Sequence, residues 1–185
     1  MPVVLRKGQS VSLEETRGAE LAQIIVGLGW GPFTYTHSDI PEPRYYFFDR
    51  ANVLFEDETN GDPPEDEDSG SGNLPEPREV KEVDLLQLIF AGKNGLPYVK
   101  HIVFTIEAAE GVTFQDVNEV HLRVADRRSG TELVRYSLPG GGRRHRAIVV
   151  ARLTHRKAGW TMKAVGEFVL SGKRERLMEA VRACL

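Results

Sequence analysis

Apolar and polar residues alternate along most of this chain, as expected for β-strands whose two faces meet different surroundings. The segment YVKHIVFTIEAA, for example, is dominated by β-branched and aromatic residues. Two longer segments each contain a pair of such runs around a turn signal, Arg-Ser-Gly in one and Lys-Ala-Gly in the other. The pattern predicts strands within 3–13, 20–30, 44–57, 79–88, 98–109, 119–138 and 145–170.

Helical spacing is confined to the last segment, KRERLMEAVRACL at 173–185. Its apolar residues Leu177, Met178, Val181 and Leu185 recur at three or four positions, which places them on one side of a helix. Many short strands with turn signals and almost no helix are typical of packed antiparallel sheets. We therefore predict an all-β fold, a two-sheet antiparallel β-sandwich with a C-terminal helix.

One stretch breaks the alternation. Between Glu56 and Asp68 the chain carries eight carboxylates, and no basic residue occurs across 51–77. Prolines and a Ser-Gly cluster follow, and such a composition cannot bury itself. The sequence therefore predicts an exposed and mobile acidic loop, inserted at about 56–78 in a single domain that spans 1–185.

Composition fits a soluble globular protein, with 41% apolar and 28% charged residues. No apolar run approaches the roughly 20 residues that cross a membrane, so we expect no integral membrane association. The N-terminal apolar stretch is too short for a secretory signal, and one cysteine cannot form an internal disulfide. These features favour a cytoplasmic location.

The net charge of −3 conceals two halves of opposite sign. Residues 1–120 carry 9 basic and 22 acidic residues, and residues 121–185 carry 15 and 5. A basic face could attract nucleic acid, but the acidic half would compete with any polyanion. We therefore expect the halves to neutralise each other and predict no nucleic-acid partner.

Motifs for catalysis are weak. GLGWG at 27–31 looks like a phosphate-binding turn, but Pro32 and aromatic residues follow it instead of a helix. No G-x-S-x-G elbow is present, the five histidines lack metal-ligand spacing, and Cys184 lies among apolar helix residues. We predict that the protein is not an enzyme. A hydrolase with an unrecognised site is the last of the alternatives.

The basic glycine-rich segment GGGRRHR at 140–146 leaves two interpretations open. Its Arg143, Arg144 and Arg146, with backbone N–H groups, could bind anionic lipid or a phosphorylated ligand. It could equally be a hairpin loop whose arginines meet the acidic stretch. The first interpretation makes the protein an anion-recognition domain.

Several blocks together resemble the TerD-type tellurium-resistance and stress-response family. They are VVLRKGQSVSL, GLGW, KHIVFTIEAAEGVTFQDVNEVHLRVAD, SGTELVRYSL and GWTMKAVGEF, in the order of the family and over nearly the whole chain. The resemblance implies a two-sheet β-sandwich, broadly like a C2 domain, in a cytoplasmic bacterial protein. It further implies a calcium-binding family without known catalysis, acting as a binding or scaffold module with protein partners.

The calcium motifs depart from those of the family. In its Asp-x-Asp pair, Asp49 matches the second aspartate, but Phe47 replaces the first. In its glycine loop Gly72 replaces an aspartate, while Arg50 and Arg78 lie nearby in sequence. The candidate ligands that the resemblance leaves are Asp49, Asn73, Glu76 and Glu79, with Asp57 as a substitute from the acidic stretch.

The loss of two aspartates, at the positions of Phe47 and Gly72, predicts a weakened calcium site. Calcium takes six to eight oxygen ligands, and each anionic ligand offsets part of the hydration that the ion loses. Two like charges about 4 Å apart at a protein surface repel by roughly 4 kcal/mol, so neighbouring arginines oppose the cation further. We therefore do not expect calcium binding of useful affinity.

Overall fold

The computed structural model describes residues 1–17, 23–31, 42–59, 81–89, 99–108, 113–114, 119–139, 144–157, 159–170 and 173–185. Within these residues lie eleven strands and two helices. In chain order they are β1 Val3–Leu5, β2 Ser10–Ser12, α1 Leu13–Arg17, β3 Gln23–Gly31, β4 Glu42–Phe48, β5 Leu54–Thr59, β6 Lys81–Ile89, β7 His101–Glu107, β8 Glu119–Asp126, β9 Glu132–Pro139, β10 Ala147–Arg156, β11 Gly159–Val169 and α2 Arg174–Ala183.

The strands form two sheets, as the sequence predicts. Strands β1-β9-β8-β3-β6 make a five-stranded sheet, and β2-β11-β10-β7-β4-β5 make a six-stranded one. Among the described strands, neighbours are antiparallel except for β1, which runs parallel to β9 in the register Val4 to Arg135. The antiparallel prediction is thus correct for every described pair but this one.

The main core fills the space between the sheets. Alternate residues of the central strand β3, Ile24, Val26 and Leu28, are fully buried there. They belong to one cluster with Ile102 and Phe104 of β7 from the opposite sheet. Burying such a side chain contributes about 1.5–3 kcal/mol, so the alternation itself stabilises the sandwich.

A second apolar cluster lies on the outward face of the six-stranded sheet. Here Leu177 and Val181 of α2 pack against Tyr46, Phe48 and other sheet residues. The helix begins after Lys173 and turns its charged residues outward. The predicted C-terminal helix is therefore confirmed, and its apolar side covers this face of the sheet.

The predicted single strand at 44–57 is in fact a hairpin of β4 and β5. The chain reverses after Asp49, and Asn52 takes the left-handed conformation with φ of 60°. The alternation continues through the turn, so periodicity could not reveal the reversal. Strand β5 extends to Thr59 within the predicted acidic loop, and residues 60–80 lie outside the described part of the chain.

Short helix α1 was not predicted, and it ties the start of the chain to β11. Both carboxylate oxygens of Glu14 accept the backbone N–H of Trp160 at 2.9 Å. Gly159 has φ of 105°, and a β-carbon there would fall 2.2 Å from the Glu14 carboxyl carbon. Glycine at the β10–β11 turn therefore admits both the backbone conformation and the carboxylate.

Candidate functional site

Asp49, the aspartate that matches the family's calcium motif, caps the β4–β5 turn. Its Oδ1 accepts the backbone N–H groups of Ala51 at 2.8 Å and Val53 at 2.9 Å. Its own backbone N–H donates to the carbonyl of Val53 at 3.0 Å. Aspartate stabilises turns through such bonds to the backbone two or more residues ahead. The carboxylate thus has a structural role at the end of β4.

The other predicted calcium ligands are not seen to converge on Asp49. Asp57 is the register partner of Tyr46 in the β4–β5 hairpin. Tyr46 itself lies three residues before Asp49 on β4. Asn73, Glu76 and Glu79 lie outside the described residues. Within the described part of the chain, no group of three or more His, Cys, Asp or Glu side chains is placed to hold a metal ion. The proposed ligand set stays a prediction.

The basic glycine-rich segment leads into β10. Arg143 lies outside the described residues, and Arg144 is exposed in a turn. Arg146 is half-buried. Its backbone N–H donates to the carbonyl of Val169 at 2.9 Å, and its carbonyl accepts the N–H of Ala108 at 2.8 Å. Arg144 and Arg146 therefore have different surroundings, one in solvent and the other at the start of a sheet ladder.

A site that the sequence analysis missed lies beneath the carboxyl end of α2. Arg152 of β10 is only 9% exposed, although arginine is seldom buried without a partner. Its Nη1 donates to the carbonyl oxygen of Cys184 and to a main-chain oxygen of Leu185, the last residue, at 2.6 Å. The available signal was one arginine inside AIVVARLTHR, a strand that is otherwise apolar up to its end.

His101 of β7 is buried beside Arg152. Its exposed fraction is 4%, and its Nδ1 lies 3.0 Å from the Oγ1 of Thr154 on the neighbouring strand. Burial, together with the positive charges of Arg152, Lys100 and Arg156, lowers the pKa of His101 to about 4. The imidazole is consequently neutral at pH 7.

Cys184 is a packed residue, as the sequence indicates. Its thiol donates to the carbonyl of Val181 at 2.9 Å. Burial raises the pKa of Cys184, while the charges of Arg152 and Lys163 act in the opposite direction with smaller effect. A thiol that stays protonated is a poor nucleophile, so the environment of Cys184 does not activate it.

A polar cluster marks the opposite end of the same sheet face. The Tyr46 hydroxyl donates to Oε1 of Glu107 at 3.3 Å, and Nε of Arg44 lies 3.3 Å from the same oxygen. Burial and the Glu107 carboxylate raise the pKa of Tyr46. Arg174, at the start of α2, also acts on Tyr46 electrostatically. The cluster therefore joins β4 to β7 on this face.

The outward face of the five-stranded sheet has a different chemistry. Arg123 and His121 of β8 lie over Gly27 and Gly29 of β3, their register partners. A β-carbon at Gly29 would fall 2.3 Å from Cε1 of His121, and one at Gly27 would fall 3.0 Å from Nε of Arg123. The two glycines thus leave space in which the polar side chains lie flat on the sheet.

An ion pair borders this polar face. Arg135 donates from Nε and Nη2 to the two carboxylate oxygens of Glu132, at 2.7 and 2.8 Å. This bidentate pair lowers the pKa of Glu132 and raises that of Arg135. His121 is 5% exposed, and burial lowers its pKa, assisted by the positive charge of Arg135. The face therefore combines fixed charges with a neutral histidine.

Similarity to known proteins agrees with this architecture. The family model described as the TerD domain matches residues 80–179. The chain belongs to the TerD domain family. It is 28% identical over 181 residues to the tellurium resistance protein TerZ of Serratia marcescens, with 89% of each chain covered. This TerD-family chain is thus similar to a tellurium-resistance protein along most of its length.

Two solved structures are similar to this TerD-family chain. One is a homologue of the telluride resistance protein TerD from Streptomyces coelicolor, with a TM-score of 0.46, 16% identity, and coverage of 82% of this chain and 92% of that chain. The other, a protein of unknown function, has a TM-score of 0.49 and 17% identity, and the match covers 85% of this chain and 96% of that chain.

Neither helix of the described part is long and apolar enough to cross a membrane.

Proposed function

We propose that this TerD-family protein is a non-enzymatic binding or scaffold module of the bacterial stress response, with a weakened calcium site. The observation that carries the proposal is the bonding of Asp49, whose Oδ1 already accepts two backbone N–H groups. A calcium ion at this position would have to share that oxygen or rely on Oδ2. The turn and the cation therefore compete for the same carboxylate.

The number of anionic ligands supports the same proposal. Phe47 occupies the position of the family's first aspartate, and its side chain packs in the core between the sheets. It supplies no oxygen to a cation, so the site has lost an anion that calcium requires. The exposed Arg50 follows Asp49 directly and adds a positive charge near the remaining carboxylate.

Isothermal titration of the chelator-treated protein with calcium tests the weakened site. We expect no saturable heat at micromolar calcium. Asp49→Asn is the matched variant, because the amide oxygen can keep the turn bonds while the charge is lost. Asp49→Ala removes both, so we expect it to lower stability. A saturable micromolar signal that disappears in Asp49→Asn, with the fold intact by circular dichroism, would overturn the proposal.

The module is proposed to act on protein partners in the cytoplasm. Its membership of the TerD family supports a role in tellurium resistance, because the relative from Serratia marcescens is a tellurium resistance protein. Expression in a tellurite-sensitive bacterium, followed by affinity capture during tellurite exposure, tests the role. Protection with reproducible partners would support it. Turnover of ester or phosphoester substrates, abolished by one substitution, would contradict the non-enzymatic proposal.

The alternative, anion recognition by the segment 140–146, is supported by one observation. Arg144 lies exposed in a turn, where a lipid headgroup or phosphorylated ligand can reach it. Flotation with anionic liposomes, with and without calcium, separates the two proposals. Binding that requires Arg144 and no calcium favours anion recognition, and binding that requires calcium contradicts the weakened calcium site.

A further inference from the structure

Three segments of the chain meet at one end of the six-stranded sheet. The carbonyl of Phe48, just before the turn that Asp49 caps, accepts the backbone N–H of Lys100 at 2.8 Å. The carbonyl of Lys100 in turn accepts the backbone N–H of His155 at 2.8 Å. His155 is the register partner of Trp160 across the β10–β11 turn. The β4–β5 turn, the start of β7 and the β10–β11 turn therefore lie side by side.

Each of these segments carries positive charge. Four cations lie there, Arg50 after β4, Lys100 before β7, and Arg156 and Lys157 at the end of β10. We refer to these four residues as the basic end. Lys100 is half-buried, and the other three are exposed. Strands β4, β7 and β10 are consecutive in the sheet, and neighbouring strands lie about 4.8 Å apart. The strands that carry the cations therefore span roughly 10 Å.

No ion pair between described residues neutralises the basic end. The ion pairs seen in the described part of the chain join Lys7 to Glu167, Arg44 to Glu107, Arg135 to Glu132 and Arg176 to Glu179. None of them includes a residue of the basic end. Four like charges in one small area repel one another, so a negatively charged partner would relieve that repulsion.

Two carboxylates lie close to the basic end, and both bind backbone groups. Asp49 accepts the N–H groups of Ala51 and Val53 within its own turn. Glu14 accepts the N–H of Trp160 beside the β10–β11 turn. These carboxylates hold the two turns in place, which fixes the positions from which the cations project.

An apolar side chain projects next to the charges. Val53 lies in the same turn as Arg50 and is 55% exposed. Protein interfaces combine apolar contact with charged residues at the rim, which steer the partner and fix its orientation. The basic end thus offers an aliphatic contact together with charge on two adjacent turns.

A short acidic segment of a protein fits this end better than an anionic membrane does. A membrane presents an extended negative surface, which would also repel the eight carboxylates between Glu56 and Asp68. A short segment responds mainly to charges within the screening distance of about 8 Å. Strand β5 leads away from the basic end, because Thr59 pairs with Arg44 near the start of β4. A short segment can therefore reach the cations without meeting the carboxylates that follow Thr59.

We propose that the basic end is a docking surface for an acidic segment of a partner protein. The inference rests on the proposed role as a binding module and names the chemical class of its partner. The surface is distinct from the segment 140–146, which precedes β10, whereas the basic end follows it. The 10 residues of β10 separate the two by roughly 30 Å.

Fluorescence anisotropy with a labelled oligoglutamate peptide tests the inference, and an oligoglutamine peptide of the same length is the uncharged control. The chain has a net charge of −3, so net charge alone does not attract this peptide. We expect saturable binding of oligoglutamate that weakens as salt is added, and no binding of oligoglutamine. Arg50→Gln and Lys157→Gln should each weaken binding about two- to fivefold. Both together with Arg156→Gln should weaken it about tenfold or more.

Two matched variants remove the same charge elsewhere. Arg128 is exposed in the β8–β9 turn of the other sheet, and Arg144 is exposed ahead of β10. Arg128→Gln and Arg144→Gln should each change the affinity for oligoglutamate by less than about twofold. All the substituted side chains are exposed, so we expect every variant to fold, and circular dichroism verifies this.

Three results would refute the inference. The first is the absence of a saturable response to oligoglutamate. The second is equal weakening by the two matched variants, which would mean attraction without a defined site. The third is binding to vesicles of phosphatidylserine and phosphatidylcholine that requires Arg50 and Lys157 while oligoglutamate does not bind, which would assign the basic end to a membrane. Failure of the proposed function is distinguishable, because affinity capture and turnover decide it and the peptide titration does not depend on either.

Discussion

The outward face of the six-stranded sheet carries an apolar cluster that lies under α2, whereas the outward face of the five-stranded sheet is polar and rests on two glycines. On the first, Tyr46, Phe48 and Val103 form a cluster with the helix residues Leu177 and Val181. On the second, His121 and Arg123 lie flat over β3. The two outer faces are therefore shielded from water in different ways. Helix α2 covers the face of the six-stranded sheet, whereas the polar side chains of the five-stranded sheet pack against its own strands.

The physical difference lies in what each face has to bury. Apolar side chains gain free energy in proportion to the area removed from water, so they need another element above them. A long polar side chain can instead bury its apolar stem along the sheet and keep its charged end hydrated. This requires space beside the strand, which Gly27 and Gly29 provide by lacking a β-carbon.

The largest effect is expected from removing the helix contact. Leu177→Ala should destabilise the protein by about 2–4 kcal/mol, because Leu177 is 2% exposed and the helix cannot fully close the cavity. Chemical denaturation measures this loss. Arg176→Ala, on the exposed side of the same helix, is the control. An equal loss in both variants would mean that α2 contributes by helix formation and not by covering the sheet.

A methyl group on the glycine face should cost less. Gly29→Ala places a carbon 2.3 Å from the buried His121 ring, so we expect a loss of about 1–3 kcal/mol from overpacking. In the His121→Ala background the same substitution should be nearly neutral, and a double-mutant cycle measures the difference. Identical costs in the two backgrounds would contradict the packing of His121 on Gly29.

Acid should weaken the helix-covered face through His101. Its folded-state pKa of about 4 lies below its ordinary value of 6.5, so the unfolded chain binds the proton first as pH falls. Stability should therefore decline between pH 6.5 and pH 4, by about 1–2 kcal/mol at pH 5. Denaturation at several pH values measures this slope. His101→Gln should flatten it.

The smallest effects should come from two ion pairs, one on each face, whose partners are three residues apart in sequence. In α2, Nη1 of Arg176 lies 3.1 Å from Oε2 of Glu179, and both side chains are 66% exposed. Arg176→Ala should therefore change stability by less than about 0.5 kcal/mol. Arg135 binds Glu132 with two hydrogen bonds on the polar face, so Arg135→Ala should cost about 0.5–1 kcal/mol. Urea denaturation measures both losses of stability. A larger loss in Arg176→Ala than in Arg135→Ala would contradict a contribution of the Arg135–Glu132 pair to the polar face.

Much of the candidate site could not be predicted from single motifs. The family resemblance identified Asp49, but only the structure shows its Oδ1 bonded to Ala51 and Val53. Arg152 appears in the sequence as one charge within an apolar strand, with nothing to indicate its partners at the carboxyl end of α2. A residue's type limits the bonds it can make, but its neighbours depend on how distant segments pack.

The sequence by itself determined the class of fold, the strands around the predicted turns and the helix at 174–183, because alternation and helical spacing depend on residues two to four positions apart. Only the tertiary structure decided which sheet the helix covers, the parallel pairing of β1 with β9, and the contact between His101 and Thr154, 53 residues apart. These features arise from pairing between distant segments. The free energy of that pairing is set by complementary faces and closed loops, and no local pattern records it.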